Sequence, residues 1–404
     1  MPQAISNGAL LVRNAKPIGF GPQASSDPID ILIGADGHIE RTGSIGEAAD
    51  AKVVDCKGAY ISPGWVDLHA HVYHGGTAIC IRPSACGAAR GVTTIVDAGS
   101  SGEANFEGFR EFVIEPARER IRAFLNIGSI GLVNANRVSE LSDANSFDID
   151  KTLECVEANR DVIVGIKVRA SHVILGTQGM TPVRLAKKVA RILKLPLMVH
   201  VGEPPPLYDE VLEVLGPGDV VTHCFNGKKG GSIAEDEELF RLAARCAAEG
   251  IRLDIGHGAA SFSFRVGEVA IKHGLPPFSI STDLHKYSID GPVWDMATTM
   301  SKVHAIGLGL EEVVRAVTIA PMSVIGLPSD RLLAPGTRAE YTIFEVIETD
   351  AEVYDSMRDA VRIRRMIEPR MVVLGRDLID ASRHKEEPRA RCPHCGGLLP
   401  FTAR

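Results

Sequence analysis

The sequence lacks long apolar stretches and a surplus of basic residues. Apolar runs such as 9–12 and 29–33 are far shorter than the roughly 20 residues that a membrane-spanning helix requires. The 44 basic and 51 acidic residues are scattered and give a formal net charge of −7, so no basic footprint for nucleic acid or an anionic membrane is present. We therefore expect a small-molecule partner, no nucleic acid and no membrane. The oligomeric state, including a homo-oligomer, stays open.

The sequence also lacks a secretion signal and a disulfide framework. Its first residues contain no basic region followed by a long apolar run and a cleavage site, which predicts a cytoplasmic protein. Six of the eight cysteines are scattered without the spacing of a disulfide scaffold, and we expect them to be reduced and mostly packed: Cys56, Cys80, Cys86, Cys155, Cys224 and Cys246.

The other two cysteines lie near the carboxyl end. Cys392 and Cys395, with His394 between them, resemble half of a zinc-binding knuckle, but the chain contains no second CxxC pair that would complete four ligands. We therefore interpret residues 381–404 as a polar tail.

Strand-like and helix-like segments alternate through the middle of the chain. Eight apolar segments have the composition of strands, and they are 64–71, 91–99, 121–128, 162–171, 196–202, 220–227, 252–258 and 278–284. Segments of helical character separate them, which predicts an α/β fold, a (β/α)8 TIM barrel over residues 63–327. Periodicity alone does not distinguish a closed barrel from an open doubly wound sheet.

Short strands with turn residues occupy both ends of the sequence. Residues 1–62 contain several such strands, and the chain returns to this style after about residue 327. We predict that residues 1–62 and 328–380 pair into one small β-sandwich domain beside the barrel.

Histidine or aspartate candidates for metal binding stand at the ends of four of the eight strands. His69 and His71 are two residues apart, so a strand places both imidazoles on one face. His200, His223 and Asp283 each follow an apolar run, at the edge where barrel active sites collect. Any one of these residues is explained as a packed core residue, but together they predict a metal site because each would otherwise bury a polar group.

The fourth strand contains a lysine between apolar neighbours. An ammonium at Lys167 would be costly to bury, and a salt bridge or a Schiff base does not suit a pocket expected to hold two dications. A neutral amine can instead react with carbon dioxide to give a carbamate, which is an anion. We therefore interpret Lys167 as a carboxylated lysine.

The run 62–71, SPGWVDLHAH, resembles the first barrel strand of the amidohydrolase superfamily, PG-x-x-D-x-H-x-H. The lysine and the later ligands follow in that family's order, and 335–345 resembles the family's return to its small β domain, with Glu340 where aspartate is usual. The resemblance covers residues 5 to about 380. It implies two divalent metals, most simply Zn²⁺: one on His69, His71 and Asp283, one on His200 and His223, and carboxylated Lys167 bridging them.

Within the superfamily, the sequence is similar to the dihydroorotase-like amidohydrolase and deacetylase branch. Dihydroorotases have an HxHxR motif whose arginine holds the substrate carboxylate, whereas Tyr73 stands at this position. Ring opening of dihydroorotate is therefore not expected. We expect instead the removal of a small acyl group, such as acetyl, from an acidic small molecule by amide or ester hydrolysis, an expectation that rests partly on Arg169. Asp283 is then the catalytic residue that transfers a proton from the attacking hydroxide to the leaving group.

Five further residues are candidates for binding the substrate. Arg169 lies two residues beyond Lys167 on the same strand face and could hold a carboxylate, although an ion pair with a loop acid explains it equally simply. His257 at the end of the seventh strand and His285 beside Asp283 could contact the acyl or leaving group. Asn226 at the end of the sixth strand could line the pocket, and Tyr73 follows the first strand.

Three other functions remain open at this stage. A cyclic amide hydrolase, such as a dihydroorotase, dihydropyrimidinase or hydantoinase, would use the same metals. A single-metal deaminase does not need the lysine of the fourth strand. A non-enzymatic structural relative would be expected to lack one or more ligands, whereas all six are present.

Overall fold

A computed structural model gives the structure of residues 8–21, 27–46, 48, 50–135 and 137–384. Its strands are β1 (Leu10–Pro17), β2 (Ile29–Ile33), β3 (Ile39–Gly43), β4 (Lys52–Asp55), β5 (Tyr60–Pro63), β6 (Trp65–Ala70), β7 (Val92–Ala98), β8 (Arg120–Asn126), β9 (Ile163–Ala170), β10 (Leu197–Val201), β11 (Val220–Thr222), β12 (Arg252–Asp254), β13 (Glu340–Tyr354), β14 (Ala360–Leu374) and β15 (Asp377–Asp380).

The helices lie mainly between the strands of the middle of the chain. They are α1 (Pro83–Cys86), α2 (Phe106–Phe109), α3 (Ile149–Ala158), α4 (His172–Leu175), α5 (Thr181–Leu193), α6 (Tyr208–Val214), α7 (Glu237–Ala248), α8 (Phe264–Lys272), α9 (Met296–Ala305), α10 (Leu310–Ala316) and α11 (Ile319–Val324). Within the described ranges, no helix has both the length and the apolar character needed to cross a membrane.

Strands β6 to β12 form one parallel sheet in which each strand pairs with the next strand along the chain. Most residues of these strands are buried, which agrees with their almost continuously apolar sequences, as is typical of a parallel sheet covered on both faces. All seven carboxyl ends point to the same edge. This arrangement collects the side chains that follow the strands.

The eighth predicted strand, 278–284, is irregular. It joins both edge strands through isolated parallel bridges, from Ser279 to Asp254 and from Leu284 to Ala70. The prediction of a regular strand here is wrong because Asp283 has φ = 49°, a left-handed conformation that a strand cannot contain. We call residues 278–284 the closing segment, since it connects β12 to β6.

The two chain ends form a second sheet of eight strands, in the order β15-β14-β13-β5-β1-β2-β3 with β4 beside β1. Side chains from both ends share one buried cluster, in which Val12 and Ile33 pack with Tyr341, Ile343 and Val373. The strands before and after the parallel sheet are therefore held together by a common apolar core.

The first residues of the predicted tail are bound to the rest of the protein. The Ser382 amide donates to the Ala89 carbonyl, Arg383 pairs with Glu368 at 2.9 Å, and the His384 amide donates to Asp295 at 2.5 Å. The Cys392 and Cys395 motif lies outside the described residues.

Candidate functional site

His69, near the end of β6, and His71, directly after it, face the carboxylate of the closing segment. His69 and His71 are both buried, and their Nε2 atoms lie 3.4 Å and 3.1 Å from Asp283 Oδ1. Because they are two residues apart on an extended backbone, the same face of β6 presents both rings. The structure thus brings together three of the predicted ligands.

His223 and Asp283 reach this point through unusual backbone conformations. Their φ angles are 67° and 49°, and His223 Nε2 lies 3.9 Å from Asp283 Oδ2. Left-handed conformations of residues other than glycine cost on the order of 1–3 kcal/mol and collect at functional sites. In His69, His223 and Asp283, which are all buried, one potential ligand atom from each residue lies within 4.8 Å of the others.

Two glycines make room for these side chains. A Cβ at Gly256 would lie 2.7 Å from His223 Nδ1, and a Cβ at Gly258 would overlap Asp283 Oδ2. Both glycines also have left-handed φ angles, 49° and 54°. Nothing in the sequence pattern marks these two glycines as part of the site, although they flank His257 at the end of the seventh strand-like segment.

A second set of polar groups fixes the orientation of the imidazoles. The Nδ1 atom of His69 lies 2.8 Å from Thr222 Oγ1, that of His71 lies 2.9 Å from Ser100 Oγ, and that of His223 lies 2.6 Å from the Gly256 carbonyl. Each contact occupies Nδ1 and leaves Nε2 to face the site. The sequence pattern does not mark Thr222 or Ser100, since hydroxyl residues in a strand or just after one have no distinctive spacing.

His200 lies next to His223, with ring centroids 4.4 Å apart and the rings nearly perpendicular, at 83°. Burial lowers the pKa of His69 and of His200 well below the usual range, and it lowers that of His223 to about 3. These imidazoles are neutral at physiological pH. A neutral imidazole nitrogen is a suitable ligand for Zn²⁺ and similar cations.

Lys167 is 1% exposed, and its Nζ atom has no hydrogen-bond partner among the described residues. Burial lowers the pKa of the Lys167 amine to about 7, against the partial opposition of Asp283 and Asp254. A substantial fraction of the amine is therefore uncharged near neutral pH. A buried amine that has no hydrogen-bond partner among the described residues and loses its proton this readily fits a site that holds cations.

Arg169 is engaged by a loop acid. Its Nε and Nη2 atoms donate to the buried Glu140 carboxylate at 2.6 Å and 2.7 Å. This is the ion pair with a loop acid that the sequence leaves open as an alternative explanation of Arg169. Nη1 is the guanidinium nitrogen that these two bonds leave for another acceptor.

The other four candidates are placed differently. His285 lies closest to the ligands, with its ring centroid 6.3 Å from that of His71. His257 is fully buried, and its nitrogens contact the Gly258 carbonyl at 3.0 Å and Lys302 Nζ at 3.1 Å.

Tyr73 and Asn226 connect backbone segments. The Tyr73 hydroxyl donates to the Asn105 carbonyl at 3.1 Å. The Asn226 amide donates to the carbonyls of His223 and Gly231 at 3.1 Å and 3.3 Å. The structure therefore brings His285 to the ligand cluster and uses Tyr73 and Asn226 within the surrounding loops.

Comparison with known proteins gives close relatives over nearly the whole chain, although no protein-family model matches. A deacetylase of Agrobacterium fabrum is 63% identical over 383 residues, 95% of this chain and 94% of that protein. A deacetylase of Brucella anthropi is 62% identical over 383 residues, 95% of each chain. A solved structure described as a dihydroorotase is 60% identical, has a TM-score of 0.92 and covers 94% of this chain and 100% of its own.

These similarities agree with the types of residue that lie at the carboxyl edge of the parallel sheet. The structural neighbours are TIM-barrel hydrolases, and the described residues include a buried histidine and aspartate group of the kind that binds metal. The resemblance seen in 62–71 is confirmed. The chain belongs to the amidohydrolase superfamily of metal-dependent hydrolases, among its deacetylase and dihydroorotase-like members.

Proposed function

We propose that the chain is a binuclear deacetylase, which removes a small acyl group from a carboxylate-bearing small molecule by hydrolysis of an amide or ester bond. The observation that carries this proposal is the buried cluster around Asp283, together with the orphaned amine of Lys167. The names of the two close bacterial relatives support the deacetylase activity over the other hydrolytic activities of the superfamily.

The donor set suits two divalent cations, most simply Zn²⁺, because imidazoles predominate. His69, His71 and Asp283 would hold one cation, His200 and His223 the other, and carboxylated Lys167 would be shared by both. When bound, the cations supply Lewis acidity, which lowers the pKa of a water and polarises the scissile carbonyl. The carbamate on Lys167 adds a negative charge where an ammonium would repel the metals.

Asp283 would move the proton in this reaction. As the water oxygen forms its bond to the carbonyl carbon, the Asp283 carboxylate accepts the proton of the water. The same carboxyl then donates that proton to the leaving nitrogen or oxygen as the bond from the carbonyl carbon breaks. The Asp283 Oδ1 atom lies 3.4 Å and 3.1 Å from the Nε2 atoms of His69 and His71, so the carboxylate stands beside the cation that these nitrogens would hold.

We propose that Arg169 and His285 contact the substrate. Arg169 Nη1 would bind the substrate carboxylate, while Glu140 keeps the guanidinium plane fixed through two hydrogen bonds. His285, beside His71, would face the acyl or leaving group. His257, Asn226 and Tyr73 would act on the substrate through the loops that they hold.

A cyclic amide hydrolase is the second candidate, because the solved relative at 60% identity is described as a dihydroorotase. Against it, Tyr73 stands where the resemblance implies an arginine, and its hydroxyl is bound to the Asn105 carbonyl. We expect the zinc-loaded protein to hydrolyse N-acetyl or O-acetyl carboxylic acids and to leave dihydroorotate and hydantoins intact. Turnover of dihydroorotate, with none of the acetyl compounds, would reject the deacetylase proposal in favour of the second candidate.

We propose the same organisation of the whole chain that the sequence predicts. Residues 63–327 form a closed (β/α)8 barrel, supported by the bridges of the closing segment to both edges. Residues 1–62 and 328–380 form a small β-sandwich domain, supported by the core that both ends share. The enzyme acts in the cytoplasm on a small molecule.

A further inference from the structure

A chain of hydrogen bonds runs from His69 on β6 through Thr222 on β11 to the buried carboxylate of Asp254 on β12. His69 Nδ1 lies 2.8 Å from Thr222 Oγ1, which lies 2.7 Å from Asp254 Oδ2. All three side chains are 0–1% exposed. The metal-facing nitrogen of His69 is on the opposite side of the ring.

The hydroxyl groups that donate to Asp254 determine the direction of these hydrogen bonds. Ser279 and Ser281 donate their hydroxyl protons to Asp254, each at 2.6 Å, and Thr222 is the third hydroxyl on the same carboxylate. A carboxylate only accepts, and a threonine hydroxyl has a single proton to donate. Since that proton goes to Asp254, Thr222 Oγ1 must accept from His69. Nδ1 of His69 therefore carries the proton, and Nε2 presents its lone pair to the site.

The other two imidazoles reach their orientation by different routes. His223 Nδ1 faces the Gly256 carbonyl, which can only accept, so the backbone alone fixes its tautomer. His71 Nδ1 faces the Ser100 hydroxyl, which also contacts Cys80 Sγ at 3.1 Å and, among the described residues, forms no hydrogen bond to a carboxylate. His69 is the ligand of these three whose tautomer depends on a buried acid.

We propose that Asp254 is a positioning residue, which acts through Thr222 to hold His69 as the tautomer that binds metal through Nε2. This inference rests on the proposed metal site. Partners that fix a metal-binding histidine in this way typically change metal affinity or activity 10- to 100-fold when they are removed. Asp254 touches neither the substrate nor the reacting atoms.

The test measures the zinc affinity of metal-free protein by competition with a chelator, independently of activity. Thr222→Val removes the hydroxyl at nearly constant volume. It should weaken zinc binding at one of the two sites, the one that includes His69, roughly 10- to 100-fold. Thr222→Ser restores the hydroxyl and should bring the affinity back to within about threefold of the wild type.

Thr152→Val is the matched control, because Thr152 is fully buried on α3 and its hydroxyl donates to the Asp148 carbonyl, with no route to His69. It should keep the affinity of the wild type for zinc.

Asp254→Asn tests the acid itself. It should weaken zinc binding in the wild-type background, because an amide nitrogen facing Thr222 would donate to the hydroxyl and reverse its bond to His69. In the Thr222→Val background it should cause less than about a twofold further loss, since the route is already cut. Additive losses would mean that Asp254 and Thr222 act separately, and would overturn the proposal.

Two other results would also reject this inference. One is Thr222→Val binding zinc as tightly as the wild type, and the other is Thr152→Val losing as much affinity as Thr222→Val. If the wild type itself binds no divalent metal, the proposed function fails first. Wild-type binding without an effect of Thr222→Val would reject only the positioning role.

Discussion

Replacing Lys167 by methionine should stabilise the metal-free protein while abolishing its function. Methionine fills a similar volume without an amine, and Nζ has no partner to lose. Burial lowers the pKa of Lys167 from 10.5 to about 7. At about 1.4 kcal/mol for each pH unit, this difference means that burying the charged amine destabilises the folded wild type by an amount on the order of 5 kcal/mol.

The stability gain of Lys167→Met depends on pH because the pKa of Lys167 is lowered in the folded protein. A lysine whose pKa is lowered in the folded state makes the folded protein bind fewer protons than the unfolded chain, so stability rises with pH. The penalty is fully present below about pH 7 and disappears as the pH approaches 10.5. Lys167→Met should therefore gain about 5 kcal/mol over the wild type at pH 6 and only about 2 kcal/mol at pH 9.

Urea denaturation in the presence of a chelator, at pH 6 and pH 9, measures this difference in the free energy of unfolding. Lys151→Met is the control, because Lys151 is exposed and its replacement should show no such dependence on pH. Elemental analysis of the loaded proteins should show metal in the wild type and a loss in Lys167→Met. A gain of the same size at both pH values would refute the argument, since the apolar contacts of methionine do not titrate.

Three further substitutions test the site. His69→Ala should lose metal and activity together, and an active, metal-free enzyme by elemental analysis would contradict the proposed chemistry. Arg169→Met should keep its metals and hydrolyse acidic acyl substrates at least about tenfold worse in kcat/KM, with little change for the matching neutral amides. Equal losses on both substrates would mean that Arg169 serves the structure through Glu140. Gly258→Ala should lower kcat by more than roughly 10-fold, because the added methyl group would overlap Asp283 Oδ2 and the residue has a left-handed φ of 54°. A crystal structure of this variant with Asp283 in its original position would contradict this reason.

The ligand cluster could be predicted from the sequence because two simple regularities produce it. Alternation along a strand puts His69 and His71 on one face, and parallel strands bring their carboxyl ends to one edge. His200, His223 and Asp283 needed only to follow apolar runs of the right length. Neither regularity depends on details of packing.

The surroundings of the ligands could not be predicted in the same way. Glu140 pairs with Arg169 across 29 positions of sequence, from a loop whose path no periodicity describes. Thr222 on β11 reaches His69 on β6 across 153 positions of the sequence, although four strands separate β11 from β6 in the order of the sheet. These contacts depend on three-dimensional placement to within an ångström. The sequence presents each of them as an ordinary polar residue.

The irregular closing segment has a consequence for the dynamics of the protein. Isolated bridges join it to β6 and β12, whereas continuous ladders join the other strands, so amide hydrogen exchange should be fastest along this seam of the parallel sheet. A cation held jointly by His69, His71 and Asp283 would fasten the two sides of the seam together. Metal binding would then slow the hydrogen exchange of backbone amides that do not themselves touch the metal, such as the amides of Leu284 and His71.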